Sequence, residues 1–394
     1  MTSVLIAALS GRALAASARR AGLTPLVIDA FGDADTRAAA AALRYLPEAA
    51  GRGFRTKSLC AALDDLIDAA PTPPIGLVLG SGFEDTPRLV AALARRYPLL
   101  GNTPDAIRRA KDPATFFPLL DGLGIAHPET RLSPPEDAHG WLSKRTGASG
   151  GAHVVEAERF QTRRGRYYQR RQRGDPTSLL ALAEAGQTLI VGISEQRPVG
   201  SGPRPYRYAG AAGPARLDAA AEAQMTRAAT SVAATLGLRG LISFDFVVSA
   251  GEASLLEVNP RPSATIDVFD SPDGALLNAH IAACRGDTVR LPAAQPPRAT
   301  AILYADAGPL RIGHVDWPSW TADRPMPQTR IPRYRPIATV LAGGDSVAAA
   351  QRMCRQRLED LAEMVYGRAP DREHKNAKTD RSRAERLGAG GQAR

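Results

Sequence analysis

The chain has 394 residues, 44% of them hydrophobic, and a net charge of +10. That length allows two or three domains with a sizeable core, and the cysteines (Cys60, Cys284 and Cys354) lie far apart with no CxxC pair, which excludes a disulfide-stapled scaffold. No apolar run reaches the roughly 18 residues of a membrane span and Met1-Thr-Ser-Val-Leu5 is not a basic leader, so no membrane contact, no secretory signal and a cytoplasmic location are expected.

Residues 4–8 read as a buried strand, 11–21 as a helix and 25–29 as a second strand, the βαβ opening of a parallel sheet. Gly11 alone is no dinucleotide fingerprint, since no G-x-G-x-x-G follows. Phe31-Gly-Asp-Ala-Asp-Thr36 leaves the second strand at its C-terminal end, where open α/β sheets place ligands. A third strand over 75–79 runs into Gly80-Ser-Gly-Phe-Glu84. Glycines there let backbone N–H groups approach a carboxylate or phosphate, so Gly80, Ser81 and Glu84 are candidate substrate contacts; a plain strand-to-helix turn is the bland alternative. Residues 1–108 are predicted as one α/β domain, ending near Leu100-Gly-Asn-Thr-Pro104, where Asn102 or Thr103 caps the helix that Pro104 starts.

Residues 139–144 read as a strand, Arg145-Thr-Gly-Ala-Ser-Gly-Gly151 as a glycine-rich loop and 153–156 as the next strand. Such a hairpin can fold over phosphates and donate backbone N–H groups, with Lys144 at its base as a mobile positive charge. The stretch 159–173 is dense in arginine and holds Tyr167 and Tyr168. Basic residues on phosphates and aromatics on bases would suit RNA, so a non-catalytic nucleic-acid binder is one alternative. Arginine, alanine, glycine and proline are abundant together, which ties the positive charge to a GC-rich genome more than to a partner. Residues 178–184 and 187–194 read as strands joined by Ala185-Gly186. Arg204-Pro-Tyr-Arg-Tyr-Ala-Gly-Ala-Ala-Gly213 reads as a loop able to close over a substrate, with Arg207 and Tyr208 available to it, or as a plain surface loop. An Ala-rich helix follows over 217–236. Residues 296–368 are predicted as a small α+β segment packed on the core, and 369–394 as a disordered basic tail.

Leu241-Ile-Ser-Phe-Asp-Phe-Val-Val248 and Ala253-Ser-Leu-Leu-Glu-Val-Asn-Pro-Arg261 read as a β-hairpin. Side chains alternate along a strand, so Glu257 and Asn259 share one face while Val258 points into the core. Pairing Val248 with Ser254 across a loop over 249–253 sets Asp245 opposite Glu257. Two carboxylates and an amide oxygen suit Mg²⁺ or Mn²⁺ and leave sites for nucleotide phosphates. A structural hairpin with a solvated polar face is the alternative, but it gives no reason for Pro260-Arg261 to follow. The Arg261 guanidinium lies beside this cluster; its fork of donors matches a carboxylate and the oxyanion formed from it, or else an internal ion pair.

Asp245 followed by Glu257-Val-Asn-Pro-Arg261 resembles the metal-binding end of the ATP-grasp ligases, and the resemblance extends over most of the chain. It implies an α/β architecture: an ATP-grasp fold with an N-terminal parallel α/β (pre-ATP-grasp) domain over 1–108, nucleotide- and metal-binding domains over 109–295, and the α+β segment behind them. It implies ATP on Lys144, with Gly147, Gly150 and Gly151 as the lid. Tyr168-Gln-Arg-Arg-Gln-Arg-Gly174 matches the adenine strand, with Gln169 in place of a common glutamate, Gln172 alongside and Asp175 at the ribose hydroxyls. The usual Asp-Lys pair is altered, because Asp112 is followed by Pro113; either Lys111 reaches round to the phosphates or an arginine substitutes. Ser243 stands where the family carries an arginine. The implied activity is ADP-forming ligation of a carboxylate to an amine through an acyl phosphate, with small-molecule amino-acid substrates, no nucleic acid, and a homodimer as one possible assembly. Gly80-Ser-Gly-Phe-Glu84, Leu100-Gly-Asn102, Tyr167-Tyr-Gln169 and Phe244-Asp-Phe246 resemble most the branch with tyramine–glutamate ligases of methanofuran synthesis and relatives in methylofuran synthesis. That branch implies the glutamate γ-carboxylate as donor and tyrosine or tyramine as amine. A dipeptide or peptide-tailing ligase is the alternative within the family.

Overall fold

The computed structural model describes residues 2–159, 164–184, 186–198 and 204–367. The predicted disordered tail over 369–394, residues 160–163 of the arginine-rich stretch and Ala185 lie outside the described residues.

β1 (Ser3–Ala8) and β2 (Thr24–Asp29) run parallel and are buried along their whole length, with the helix Arg12–Arg20 between them. Their unbroken apolar runs suit strands covered on both faces. β3 (Ala42–Tyr45) and β4 (Leu77–Leu79) complete a sheet of order β3-β2-β1-β4. β3 has no counterpart in the sequence reading, because Ala-Leu-Arg-Tyr is a short, half-exposed edge strand without a clear apolar period. Thr103 caps the helix Pro104–Lys111 by accepting the Ala106 N–H. Asn102 does something else: its amide donates to the Pro260 and Arg239 carbonyls and accepts the Arg239 N–H, which fastens the first domain to the second.

β5 (Thr130–Arg131), β6 (Trp141–Arg145), β7 (Val155–Glu156) and β8 (Arg166–Arg170) form a small sheet of order β5-β8-β6-β7. β9 (Asp175–Glu184) and β10 (Gln187–Pro198) make the expected antiparallel pair, followed by β11 (Tyr208–Gly213), β12 (Gly240–Ser249) and β13 (Glu252–Asn259). Downstream lie β14 (Arg298–Tyr304), β15 (Leu310–Arg311), β16 (Thr321–Ala322), β17 (Arg330–Ile331) and β18 (Pro336–Gly343). The large sheet has the order β13-β12-β9-β10-β11-β14-β18-β16. The C-terminal segment is therefore continuous with the core: β14 hydrogen-bonds to β11 and extends the same sheet, and the helix Val347–Tyr366 packs Cys354 and Leu361 onto it.

The helix Ala219–Leu236, capped by Asp218, buries Met225, Ala229, Val232 and Leu236 in one cluster with Phe244, Leu255 and Val258. Fully burying a side chain such as Phe244 contributes about 1.5–3 kcal/mol, so this face fixes where β12 and β13 sit. His280 pins the start of β12. Its Nδ1 accepts the Leu241 N–H and its Nε2 donates to the Leu100 carbonyl, and burial holds its pKa down at about 4. Cys60, Cys284 and Cys354 form no disulfide, and no described helix is long and apolar enough to cross a membrane.

Candidate active site

The metal-type hairpin forms, but with a tighter turn than expected. Ser249 pairs with Glu252, and Ala250 and Gly251 take φ of 50° and 81°. Positive φ at both central residues is the two-residue turn that matches strand twist. The predicted pairing at the turn is thus one residue out, since Val248 faces Ala253. Leu256 is then bulged out of the ladder, and the count recovers: Asp245 lies opposite Glu257, as expected, and Ser243 opposite Asn259. Bulges beside active sites often re-aim a side chain in this way.

The three oxygen-bearing side chains converge. Asn259 Nδ2 donates to Asp245 Oδ2 at 3.0 Å, and its Oδ1 accepts from Lys111 Nζ at 2.8 Å. Lys111 also reaches Glu257 at 3.3 Å. Asp245 Oδ1 accepts from Ser178 at 2.7 Å and from Gln196 at 2.8 Å. Burial, then the neighbouring Glu257 charge, raises the Asp245 pKa to about 6. Burial also opposes ionisation of Glu257, but Lys111, His153 and Lys144 overcome it and hold the Glu257 carboxyl below its ordinary value. The reading of Lys111 as a phosphate ligand is corrected accordingly: its ammonium lies inside the carboxylate cluster, drawn there because the last turn of its helix ends over β13.

A cavity of about 990 Å³ opens above the cluster, lined by Asp245, Glu257 and Asn259 below and by Lys144, Gly150 and Gly151 on the small sheet. Lys144 is buried and donates to Gln169 Oε1 at 2.5 Å; burial lowers its pKa.

Residues 111–265 match the family model described as the ATP-grasp domain. Among curated proteins the chain is similar to the large chain of carbamoyl phosphate synthase: 26% identical over 219 residues to that of Deinococcus deserti and 28% over 255 residues to that of Halomonas eurihalina. These matches cover 49% and 56% of this chain but 21% and 23% of the relatives, so the chain spans less than a quarter of their length. Among solved structures, N5-carboxyaminoimidazole ribonucleotide synthetase from Thermotoga maritima aligns with a TM-score of 0.63 at 14% identity, covering 91% of this chain and 98% of that one. Biotin carboxylase from Campylobacter jejuni, solved as a β-γ-ATP complex, aligns with a TM-score of 0.68 at 14% identity, covering 92% and 91%. This chain has the ATP-grasp fold.

Several contacts expected of the nucleotide fall differently on the small sheet and its glycine-rich loop. Gly150 and Gly151 line the cleft, whereas Gly147 packs against Asp85 of the first domain. Gly151 has φ +69°, and a Cβ there would lie 1.9 Å from the Tyr206 carbonyl oxygen; the Tyr208 N–H donates to the Gly150 carbonyl beside it. The glycine-rich loop is thereby latched to the start of β11. Gln172 lines the cleft, but Asp175 is exposed and lies outside its lining, because β9 already starts there and turns the side chain away. Gln169 lines the cleft and is 1% exposed, with its carbonyl bonded to Lys144 and its amide to Thr130, so its side chain supports Lys144.

Two further expectations are corrected by ion pairs between segments distant in sequence. Arg261 Nε donates to Glu84 Oε1 at 2.5 Å, and Glu84 also accepts the Gly82 and Phe83 N–H groups. Burial opposes Glu84 ionisation, yet Arg261 and Lys111 bring its pKa down to about 2. Glu84 is thus the partner that orients Arg261 and is not open to substrate; Arg261, Gly80 and Ser81 line the main cleft. Arg207 is 2% exposed, bonded through both terminal nitrogens to Asp306 at 2.9 Å and lying 3.5 Å over the Tyr304 ring, so it builds the wall and only Tyr208 lines the cleft. The aromatic residues of the arginine-rich stretch, Tyr167 and Tyr168, are buried and present no face to a base.

The structure adds two groups that the sequence reading did not single out. His153 lines the cleft with no partner for Nδ1 among the described residues, and burial holds its pKa down at about 4. A lone histidine just past a glycine-rich loop carries no signal of its own. Arg12 crosses from the first domain to hold both oxygens of Asp267 at 2.6 Å and Asp323 at 3.1 Å, a contact between residues 311 apart in sequence.

Proposed function

We propose that the protein is an ATP-dependent ligase that joins a carboxylate to an amine through an acyl phosphate, using Mg²⁺ or Mn²⁺. The observation that carries this reading is the convergence of Asp245, Glu257 and Asn259 on one side of a cleft whose other side is a glycine-bearing lid with Lys144 at its base. The residues fit a hard divalent cation. The Glu257 and Asn259 side-chain oxygens share the Lys111 ammonium, Asp245 lies against Asn259, and the adjacent carboxylates are pushed apart in pKa. When bound, the cation neutralises charge on the phosphate oxygens.

Lys144 supplies the cationic contact to the triphosphate, Lys111 stays with the carboxylate cluster, and the lid excludes water. The substrate carboxylate attacks the γ-phosphorus, the bond to the β-phosphate oxygen breaks and ADP leaves. Arg261, held in place by Glu84, steadies first the carboxylate and then the tetrahedral oxyanion. The amine attacks in its neutral form, its nitrogen bonds to the acyl carbon, and phosphate departs with the electron pair of the broken C–O bond and takes up the proton that the nitrogen loses. The finer reading is ligation of the glutamate γ-carboxylate to tyrosine or tyramine in a methylofuran-type cofactor pathway, supported by the branch motifs in the sequence. ADP release is expected to require both a carboxylate and an amine, with glutamate plus tyramine or tyrosine the best pair of a substrate panel. Release with other pairs alone would overturn the finer assignment, and no release with any pair would overturn the ligase reading.

Two expectations arise here. Asp245 must be ionised to hold a cation, and its pKa lies near 6. The affinity for Mg²⁺·ADP should therefore be level above pH ~7 and fall by up to about tenfold per unit as pH drops below about 6. Titration calorimetry across that range checks it, and a flat profile contradicts it. Gly151→Ala should unlatch the lid from Tyr206 and lower kcat/KM for ATP about 10²-fold in a coupled ADP assay, the scale expected when a closing element is misplaced.

A further inference from the structure

We propose that the wall of the cleft formed by the first domain and the segment around Asp323 is a site for a primary amine with an apolar body, and that Asp33 is the carboxylate that receives its ammonium group. This rests on the ligase reading in one respect: the amine is taken to be the acceptor.

Asp33 follows β2 and begins the helix Ala34–Ala39, yet its side chain makes no capping bond to that helix. It is 7% exposed and lines the main cavity, with no hydrogen-bond or ion-pair partner among the described residues. The acids around it are all engaged. Asp29 accepts the N–H groups of Gly11, Phe31 and Gly32. Asp35 accepts those of Asp323 and Arg324. Asp323 is held by Arg12, Ser10 and Thr339, and Asp267 by Arg12. Asp267 and Asp323 share Arg12, and Arg324 lies 4.0 Å from Asp35, so these carboxylates and Asp33 outnumber the guanidinium groups paired with them. Burial, reinforced by Asp323, Asp29 and Asp35, pushes the Asp33 pKa up to about 8. A buried carboxyl group without a partner is costly, and a cationic group placed against it removes the cost.

The ligand chemistry follows from what is left unused. A divalent cation needs about six oxygens, and the neighbouring carboxylates are taken up by N–H and O–H donors. A single open carboxylate matches an ammonium group. Beside it, Phe31, Tyr45, Pro325, Ile331 and Ile337 line the same cavity, and Phe31 and Tyr45 are 37% and 45% exposed. Large apolar side chains left open on a cavity wall suit an aliphatic or aromatic body on the amine. The cavity is continuous with the metal-type cluster, and Tyr208 lies between, within the electrostatic reach of both Asp267 and Asp245. An amine held at Asp33 therefore shares one chamber with the carboxylate being activated.

The test is direct binding to the full-length protein saturated with Mg²⁺·ADP, by titration calorimetry with phenethylamine, tyramine and, as a neutral control, 4-ethylphenol. The two amines should bind at least about tenfold more tightly than 4-ethylphenol, and Asp33→Asn should remove that advantage, the scale of one hydrogen bond to a charged group. Asparagine keeps the size and relieves a crowded set of acids, and unchanged ADP affinity shows that the variant is folded. Equal amine binding by wild type and Asp33→Asn, or no preference for the amines over 4-ethylphenol, overturns the proposal. Asp33-dependent amine binding without ADP release for any carboxylate offered would instead retire the ligase reading and leave the amine site standing.

Discussion

Glu257→Gln is expected to lower kcat for ADP release by about 10³-fold or more, equivalent to the several kcal/mol that a bound metal contributes to phosphoryl transfer. The side chain sits opposite Asp245 across the hairpin, and its carboxylate faces Lys111, Lys144 and His153. Glutamine preserves its size and strand but removes the charge that would hold a cation against the phosphates. Loss of folding is not the expected cause. The substitution removes one of two crowded carboxylates and so relaxes Asp245 toward its ordinary pKa, while Lys111 keeps its 2.8 Å bond to Asn259. ADP binding without metal and the unfolding midpoint should both stay near wild type. Turnover within about threefold of wild type, less than 1 kcal/mol of barrier, would show that Glu257 is not a ligand.

Arg12→Met is expected to be the most destabilising substitution at the domain seam, by about 3–5 kcal/mol, because it leaves two carboxylates facing each other without their cation. Arg12 is 8% exposed, and its partners Asp267 and Asp323 have side chains only 14% and 22% exposed. Burial works against the guanidinium charge, and the two carboxylates more than offset it, raising its pKa well above the ordinary value. Lysine cannot reproduce the paired bonds to Asp267, so Arg12→Lys should recover only part of the loss. Equilibrium urea unfolding gives the comparison. A change below about 1 kcal/mol would mean that Asp267 and Asp323 find other partners.

The parts of this molecule written in local pattern were readable from the sequence. The buried runs of β1 and β2, the helix ahead of the hairpin and the opposition of Asp245 to Glu257 all follow from apolar periodicity and strand alternation. Even there the turn was misjudged. A two-residue turn with Ala250 at positive φ and a compensating bulge at Leu256 reach the same pairing by another route, and neither device leaves a mark that alternation alone would detect. What stayed hidden depends on partners far apart in the chain. Arg261 and Glu84, Arg207 and Asp306, and Arg12 and Asp323 are each plausible ligand contacts in isolation and are engaged with each other once folded. Gln169 shows the same effect at shorter range, its acceptor turned to Lys144 by adjacent strands. The C-terminal strands looked like a separate small unit because nothing in residues 298–304 reveals that β11 is waiting to pair with them. Asp33 stands in the 31–36 segment where open α/β sheets place ligands, but nothing in the sequence sets it apart from Asp35; its significance appears when every surrounding acid is found to be satisfied and it is not.

The most direct test of the central claim is electron paramagnetic resonance of Mn²⁺·ADP bound to the wild-type protein and to Asp245→Asn, Glu257→Gln and Asn259→Ala. The wild-type protein should show bound Mn²⁺, and each variant should weaken it by at least about tenfold. Unchanged Mn²⁺ affinity in all three variants would contradict a cation held by these oxygens.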